Sequence, residues 1–212
     1  MNPIYCISGL GADERIFSKL ILPERTLTPL HWIRPLREEP IENYAARMTS
    51  QVHSDLPVLM GVSFGGMMAL EMAKIFPTAK VILISSVKSR EELPGWMKWS
   101  GRLGLNRLLP GKPPRWSSLE SEFLGTETEE ETHLVREFMK TADPVYLRWA
   151  LGQVINWRNE WQPPSWYHIH GTNDRTFPLK NIRATHVVSG GGHFMVMNRA
   201  KEISAILESI LA

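Results

Sequence analysis

The sequence predicts a three-layer α/β protein: a mostly parallel sheet of about six strands, helices on both faces, and a helical insertion ahead of the fifth strand. Three observations carry this. Short, wholly apolar runs such as Ile4–Ile7 and Val81–Ile84 are the mark of strands covered on both faces, as in parallel sheets. These runs alternate with segments of helical spacing, the pattern of strand–helix–strand units. The alternation then lapses from about Val87 to Trp161, where no strand pattern occurs.

The elements follow in order. Ile4–Ile7 reads as a buried strand ended by Ser8-Gly9, and Arg15–Leu22 as a helix stopped near Pro23. Leu30–Ile33 reads as a second strand closed by Pro35. Ile41–Val52 has helical spacing through Ile41, Tyr44, Ala45, Met48 and Val52. Pro57–Met60 is a third strand, followed by a helix from Gly65 to about Phe76, and Lys80–Ile84 is a fourth. Within the insertion, Thr128 with Glu131 matches a capping box, and Asp143-Pro144 reads as an N-cap followed by proline at the first helical position. Trp166–His170 and Thr185–Val188 resume the strands, and Ile203, Ile206, Leu207 and Ile210 mark a last amphipathic helix. The expected organisation is a core of residues 1–86 and 162–212 with an insertion at 87–161.

At 212 residues, 43% of them hydrophobic, the chain suffices for one domain with its own core. A net charge of +2 gives no bias toward nucleic acid or anionic membranes. The single cysteine, Cys6, excludes an internal disulfide and points to a reducing, cytoplasmic setting. The N-terminal residues lack a basic segment and a long apolar stretch, so no signal peptide is expected, and no apolar run approaches bilayer-spanning length. His31, His53, His133, His168 and His186 show no metal-ligand spacing, so neither metal nor cofactor is expected.

Gly61-Val62-Ser63-Phe64-Gly65 lies between the third strand and a helix. A G-x-S-x-G in that setting forces a tight turn with the serine at its strained apex, hydroxyl exposed above the sheet. The flanking glycines remove Cβ atoms that would clash there. A serine so placed is a candidate nucleophile; a glycine-rich structural turn is the bland alternative. Glycine-rich loops follow two later strands, His170-Gly171-Thr172-Asn173-Asp174 and Gly190-Gly191-Gly192-His193. Asp174 and His193 thus lie just past the C-terminal ends of strands, where an open parallel sheet presents its crevice. The chain order Ser63, Asp174, His193 is the one expected of a serine at such a turn. His193 is the candidate general base, since a histidine pKa of about 6.5 suits proton shuttling at neutral pH. Asp174 is the candidate acid, with Asp143 as its competitor.

With these residues in place, the chain resembles the α/β-hydrolase fold superfamily. Gly61-Val62-Ser63-Phe64-Gly65 is similar to its nucleophile elbow, and His170-Gly171-Thr172-Asn173-Asp174 with Pro178 to its acid loop. Gly191-Gly192-His193-Phe194 is similar to its histidine loop. Ser8-Gly9-Leu10-Gly11-Ala12-Asp13, with Phe17 beyond, resembles its oxyanion loop, with Ser8 where the family often has histidine. The resemblance spans nearly the whole chain. It implies a cap at the insertion and an oxyanion hole from the backbone N–H groups of Leu10 and Phe64; the antiparallel hairpin that often opens the family sheet is not expected here. His170 is expected to be structural. Trp96, Trp99, Trp116, Trp149, Trp157 and Trp161 crowd the insertion and its exit, most of them expected to anchor it to the sheet.

The leading expectation is a serine hydrolase acting on a small carboxylic ester or thioester. Acyl transfer, C–C hydrolysis and perhydrolysis use the same site, and a non-catalytic receptor on the same fold is the alternative of another class. A serine at position 63 disfavours the dehalogenases and epoxide hydrolases of the superfamily, which use a carboxylate nucleophile. The implied partner is a small molecule, with oligomeric state left open.

Overall fold

The structure, a computed structural model, describes residues 3–77, 79–102 and 123–212. Six strands form one sheet: β1 (Ile4–Ile7), β2 (Leu27–Leu30), β3 (Val58–Val62), β4 (Lys80–Ile84), β5 (Ser165–Gly171) and β6 (His186–Val188). Their spatial order is β2-β1-β3-β4-β5-β6, and every pairing is parallel. The helices include α1 (Ile41–Met48), α2 (Phe64–Ala73), α3 (Gly95–Arg102), α4 (Glu129–Thr141), α5 (Pro144–Asn156), α6 (Met195–Asn198) and α7 (Ala200–Leu211).

Alternation along the strands divides the core into two layers. Tyr5, Ile7, Leu59, Val81 and Leu83 face one side and pack with α1, α2 and the inner face of α5. Ile4, Cys6, Met60, Ile82 and Ile84 face the other and pack with α4, α6 and α7. Burial pushes the Cys6 thiol pKa well up, leaving an inert thiol. α2 is buried along its whole length, which explains why its sequence is apolar on every side.

Most of the sequence-expected elements are present, with several bounds shifted; the helix expected from Gly65 to about Phe76 ends at Ala73. The run from Arg15 to Leu22 forms only a 3-10 turn, Glu14–Phe17, whose N-cap is Asp13. Its apolar spacing reflects burial of Ile16, Phe17, Leu20 and Leu22 rather than a helix. The second strand lies at Leu27–Leu30, earlier than the Leu30–Ile33 expected. Helix α1 ends at Met48 and passes into a 3-10 turn, Thr49–Gln51. Two caps form as the sequence implies: Asp143 Oδ1 accepts from Val145 N–H at 2.8 Å, and Thr128 Oγ1 from Glu131 N–H at 3.1 Å. Glu131 Oε2 reaches back to Glu127 N–H at 2.8 Å, one residue before the cap.

Among the described residues of the insertion, Trp149 and Trp157 fasten α5 and its exit to the core. Trp157 Nε1–H donates to the buried Glu71 carboxylate at 2.8 Å, and Trp149 packs on Tyr44 and Phe64. Trp161 is partly buried against the same layer. Trp96 and Trp99 on α3 are exposed, and Trp116 lies outside the described residues. No helix among the described residues is long and apolar enough to cross a membrane.

Candidate active site

The strand order reverses between β1 and β3, since β1 leads outward to β2 while the chain beyond β3 runs the other way. Such a switch point opens a crevice at the carboxyl ends of the strands. The loop after β1 and the turn after β3 both lie there. Ser63 holds φ 55° and ψ −121°, between the end of β3 and the first turn of α2. The turn leaves no room for side chains at its glycines. A Cβ on Gly61 would come within 2.1 Å of Gly65 O, and one on Gly65 within 2.2 Å of Ile7 O. A Cβ on Gly9 would meet the Ser63 Cβ at 3.5 Å, which sets the loop after β1 alongside the serine.

The sequence-separated candidates converge. His193 Nε2 lies 2.9 Å from Ser63 Oγ, and His193 Nδ1 lies 2.9 Å from Asp174 Oδ2. Asp174 is buried and its other oxygen, Oδ1, accepts from Phe177 N–H at 2.8 Å. Burial disfavours its charge, but the attraction and hydrogen bond of His193, with help from His170 and the Phe177 amide, hold its pKa below the ordinary carboxylate value. Since a carboxylate only accepts, Nδ1 of His193 carries the proton and Nε2 faces Ser63 as the lone pair that can take the hydroxyl proton. Asp143 is committed elsewhere: it caps α5 and lies 3.6 Å from Arg34 Nε.

Leu10 and Phe64 flank this line. Phe64 opens α2, so its N–H is one of the helix's unpaired first-turn donors. Leu10 belongs to the loop that passes Ser63. That loop is braced by Ser8: its Oγ donates to Ala12 O at 2.7 Å and accepts from Trp32 Nε1–H at 2.9 Å. Trp32 in turn stacks on Phe64, ring centroids 5.3 Å apart, and contacts Tyr146 of α5 at 5.2 Å. Tyr146 turns its buried hydroxyl to the Gly11 amide without completing a hydrogen bond. Ser8 is thus part of an aromatic brace linking the loop after β1, the turn after β3 and α5. A cavity of about 350 Å³ opens beside it, lined by Ser8, Gly11, Trp32, Arg34, Asp143 and Tyr146 among others.

The sequence profile of the alpha/beta hydrolase family matches residues 6–206. The chain belongs to the alpha/beta hydrolase family. A search of the curated proteins finds no match. Solved structures similar to this alpha/beta hydrolase include a thermophilic esterase from Thermogutta terrifontis, with TM-score 0.73, 16% identity, and coverage of 100% of this chain and 89% of that one. An N-acyl homoserine lactonase, AidH, gives TM-score 0.72 and 17% identity over 100% of this chain and 90% of that chain. A bromoperoxidase from Bacillus anthracis gives 0.65 and 16% identity over 99% and 91%. At these identities the likeness is one of fold.

Some residues at the site carry no sequence signal. Ser86 donates to Ser63 O at 2.7 Å, and Phe177 joins Asp174 to His193, its ring 5.4 Å from that of His193. Ser86 belongs to no recognisable pattern, and Phe177 fills an unspecified position of the acid-loop one. Trp32 follows a strand edge, and only its aromatic character hints at a role.

Proposed function

We propose that this alpha/beta hydrolase is a serine hydrolase that cleaves a small carboxylic ester or thioester through an acyl-enzyme on Ser63. The observation that supports it is the continuous line Ser63–His193–Asp174, with both hydrogen bonds at 2.9 Å. His193 takes the Ser63 proton as Oγ attacks the carbonyl carbon, and Asp174 stabilises the imidazolium that forms. The backbone N–H groups of Leu10 and Phe64 receive the oxyanion. His193 then protonates the leaving alcohol or thiol, and on the return step takes a proton from water, which releases the acid.

The described part of the insertion, held to the core through Trp149 and Trp157, acts as a cap. The single buried cysteine suits a reducing cytoplasm. A receptor would not need a base and an acid matched in this way to a strained serine.

The test is labelling with a fluorophosphonate probe, followed by turnover of p-nitrophenyl acetate. Wild type is expected to label and turn over while Ser63→Ala does neither. A folded wild type that does not label sinks the proposal.

A further inference from the structure

We infer that His170 is a positioning residue for this reaction: it holds the Phe177 peptide, and through it keeps the Asp174 carboxylate trained on His193. The inference rests on the serine-hydrolase reading above and deepens it.

His170 is fully buried at the end of β5. Its Nε2 lies 2.8 Å from Phe177 O and 3.5 Å from Asp174 Oδ2. Both partners are acceptors, so Nε2 bears the proton and donates. Phe177 is the hub of the arrangement. Its carbonyl takes the His170 hydrogen bond, its N–H donates to Asp174 Oδ1, and its ring packs edge-on against His193. One imidazole therefore fixes the peptide that caps one oxygen of the acid and the ring that backs the base, while its own N–H reaches toward the other oxygen.

The nitrogen that does not donate supports a task for the one that does. His170 Nδ1 is buried with no hydrogen-bond partner. An apolar side chain of similar size would fill this space without that cost. On its other side His170 meets His168 edge-on, centroids 5.2 Å apart at 88°. His168 Nε2 meets Ser86 O at 3.1 Å, and Ser86 Oγ donates to Ser63 O. The histidine pair thus lies along a second, buried path between the nucleophile and the acid. The ionisable groups that bear on His170 are Asp174, His193 and Glu92, with His168 beside it and Lys88 beyond His168. Burial pushes the His170 pKa down despite Asp174, which keeps the ring a neutral donor rather than a second cation competing for the carboxylate.

The experiment follows fluorophosphonate labelling rate and p-nitrophenyl acetate kinetics between about pH 5 and 9. It compares wild type, His170→Phe and His170→Gln, with folding checked by near-ultraviolet circular dichroism. His170→Phe is expected to lower kcat roughly tenfold or more with KM nearly unchanged. Its acid limb should move to lower pH, because the imidazolium has lost part of its partner. His170→Gln, whose amide N–H can reach Phe177 O, should recover most of the rate. Should His170→Phe not fold, His170→Asn, whose shorter amide stops short of Phe177 O, makes the same comparison and should be as slow. A folded His170→Phe or His170→Asn with wild-type labelling rate and an unmoved acid limb overturns the inference, as does a folded His170→Gln no faster than these. Wild type that fails to label overturns the parent reading and this inference with it. Labelling wild type with indifferent variants overturns this inference alone.

Discussion

Ser63 sits at a positive φ that a non-glycine residue adopts only under strain, and its surroundings over-determine it. Its N–H donates to Ile84 O at 3.0 Å, and its carbonyl accepts from Gly66 N–H at 2.9 Å and Ser86 Oγ at 2.7 Å. Ser86→Ala removes one of these ties and is expected to cost about 1 kcal/mol of stability, measured by urea denaturation. The two aspartates separate cleanly at this scale. Asp174→Asn should lower kcat by about a thousandfold or more, because the amide allows the wrong His193 tautomer. Asp143→Ala should leave kcat within about twofold while costing about 1 kcal/mol, the ordinary worth of a helix N-cap. Turnover lost in the second and kept in the first would reassign the acid. Ser63, Asp174 and His193 were legible because each sits in a short glycine-rich pattern at a strand end. Phe177, Ser86 and Trp32 were not, because what they do depends on partners that only folding supplies. Trp32, for instance, meets Ser8 only because β1 and β2 pair side by side and bring their carboxyl ends together.

Elements were legible to the extent that their sequence reports their own burial. β1 and β4 lie inside the sheet, each with a strand on either side, and their apolar runs mark their limits. β2 is an edge strand that pairs only with β1. Pro29 within it reads as a breaker, yet an edge strand tolerates a residue without an N–H because its outer side has no ladder to complete. The elbow shows the opposite case, a short element whose sequence admits no substitute. Gly61→Ala and Gly65→Ala each drive a Cβ to about 2 Å from backbone atoms rather than a movable side-chain end. Both variants are expected to lose labelling together with cooperative unfolding. At Gly95, which starts α3, a Cβ would meet nothing within 4 Å, and Gly95→Ala should fold, label and turn over as wild type. A folded, active Gly65→Ala would show that the elbow can relax, and would remove the strain argument for Ser63.

At the scale of the whole molecule, the buried histidines tie stability to pH. His168 lies in mid-strand β5 with no exposure, and burial first, then His170 and Lys88, push its pKa down from 6.5 to about 3, against the Ser86 carbonyl that favours its proton. The folded state therefore keeps it neutral while the unfolded chain protonates at the ordinary value. Where the unfolded state binds more protons, stability falls as pH falls. The His168 contribution is thus complete above the unfolded pKa and is lost as pH drops from about 6.5 toward 3, with a slope approaching about 1.4 kcal/mol per pH unit. By pH 5 the loss should reach about 2 kcal/mol. His170 is depressed in the same direction and adds to it. Asp174, also depressed, acts in the same sense but only near and below the ordinary carboxylate range, so the interval from about pH 6.5 to 5 belongs to the histidines. The test compares urea unfolding free energies at pH 7 and 5 for wild type and His168→Gln. The glutamine variant is less stable at pH 7, having lost a fitted ring, but should lose about 2 kcal/mol less on acidification. Equal losses in the two proteins would mean that His168 takes up its proton in the folded sheet, and that the layer between β5 and Ser63 admits water.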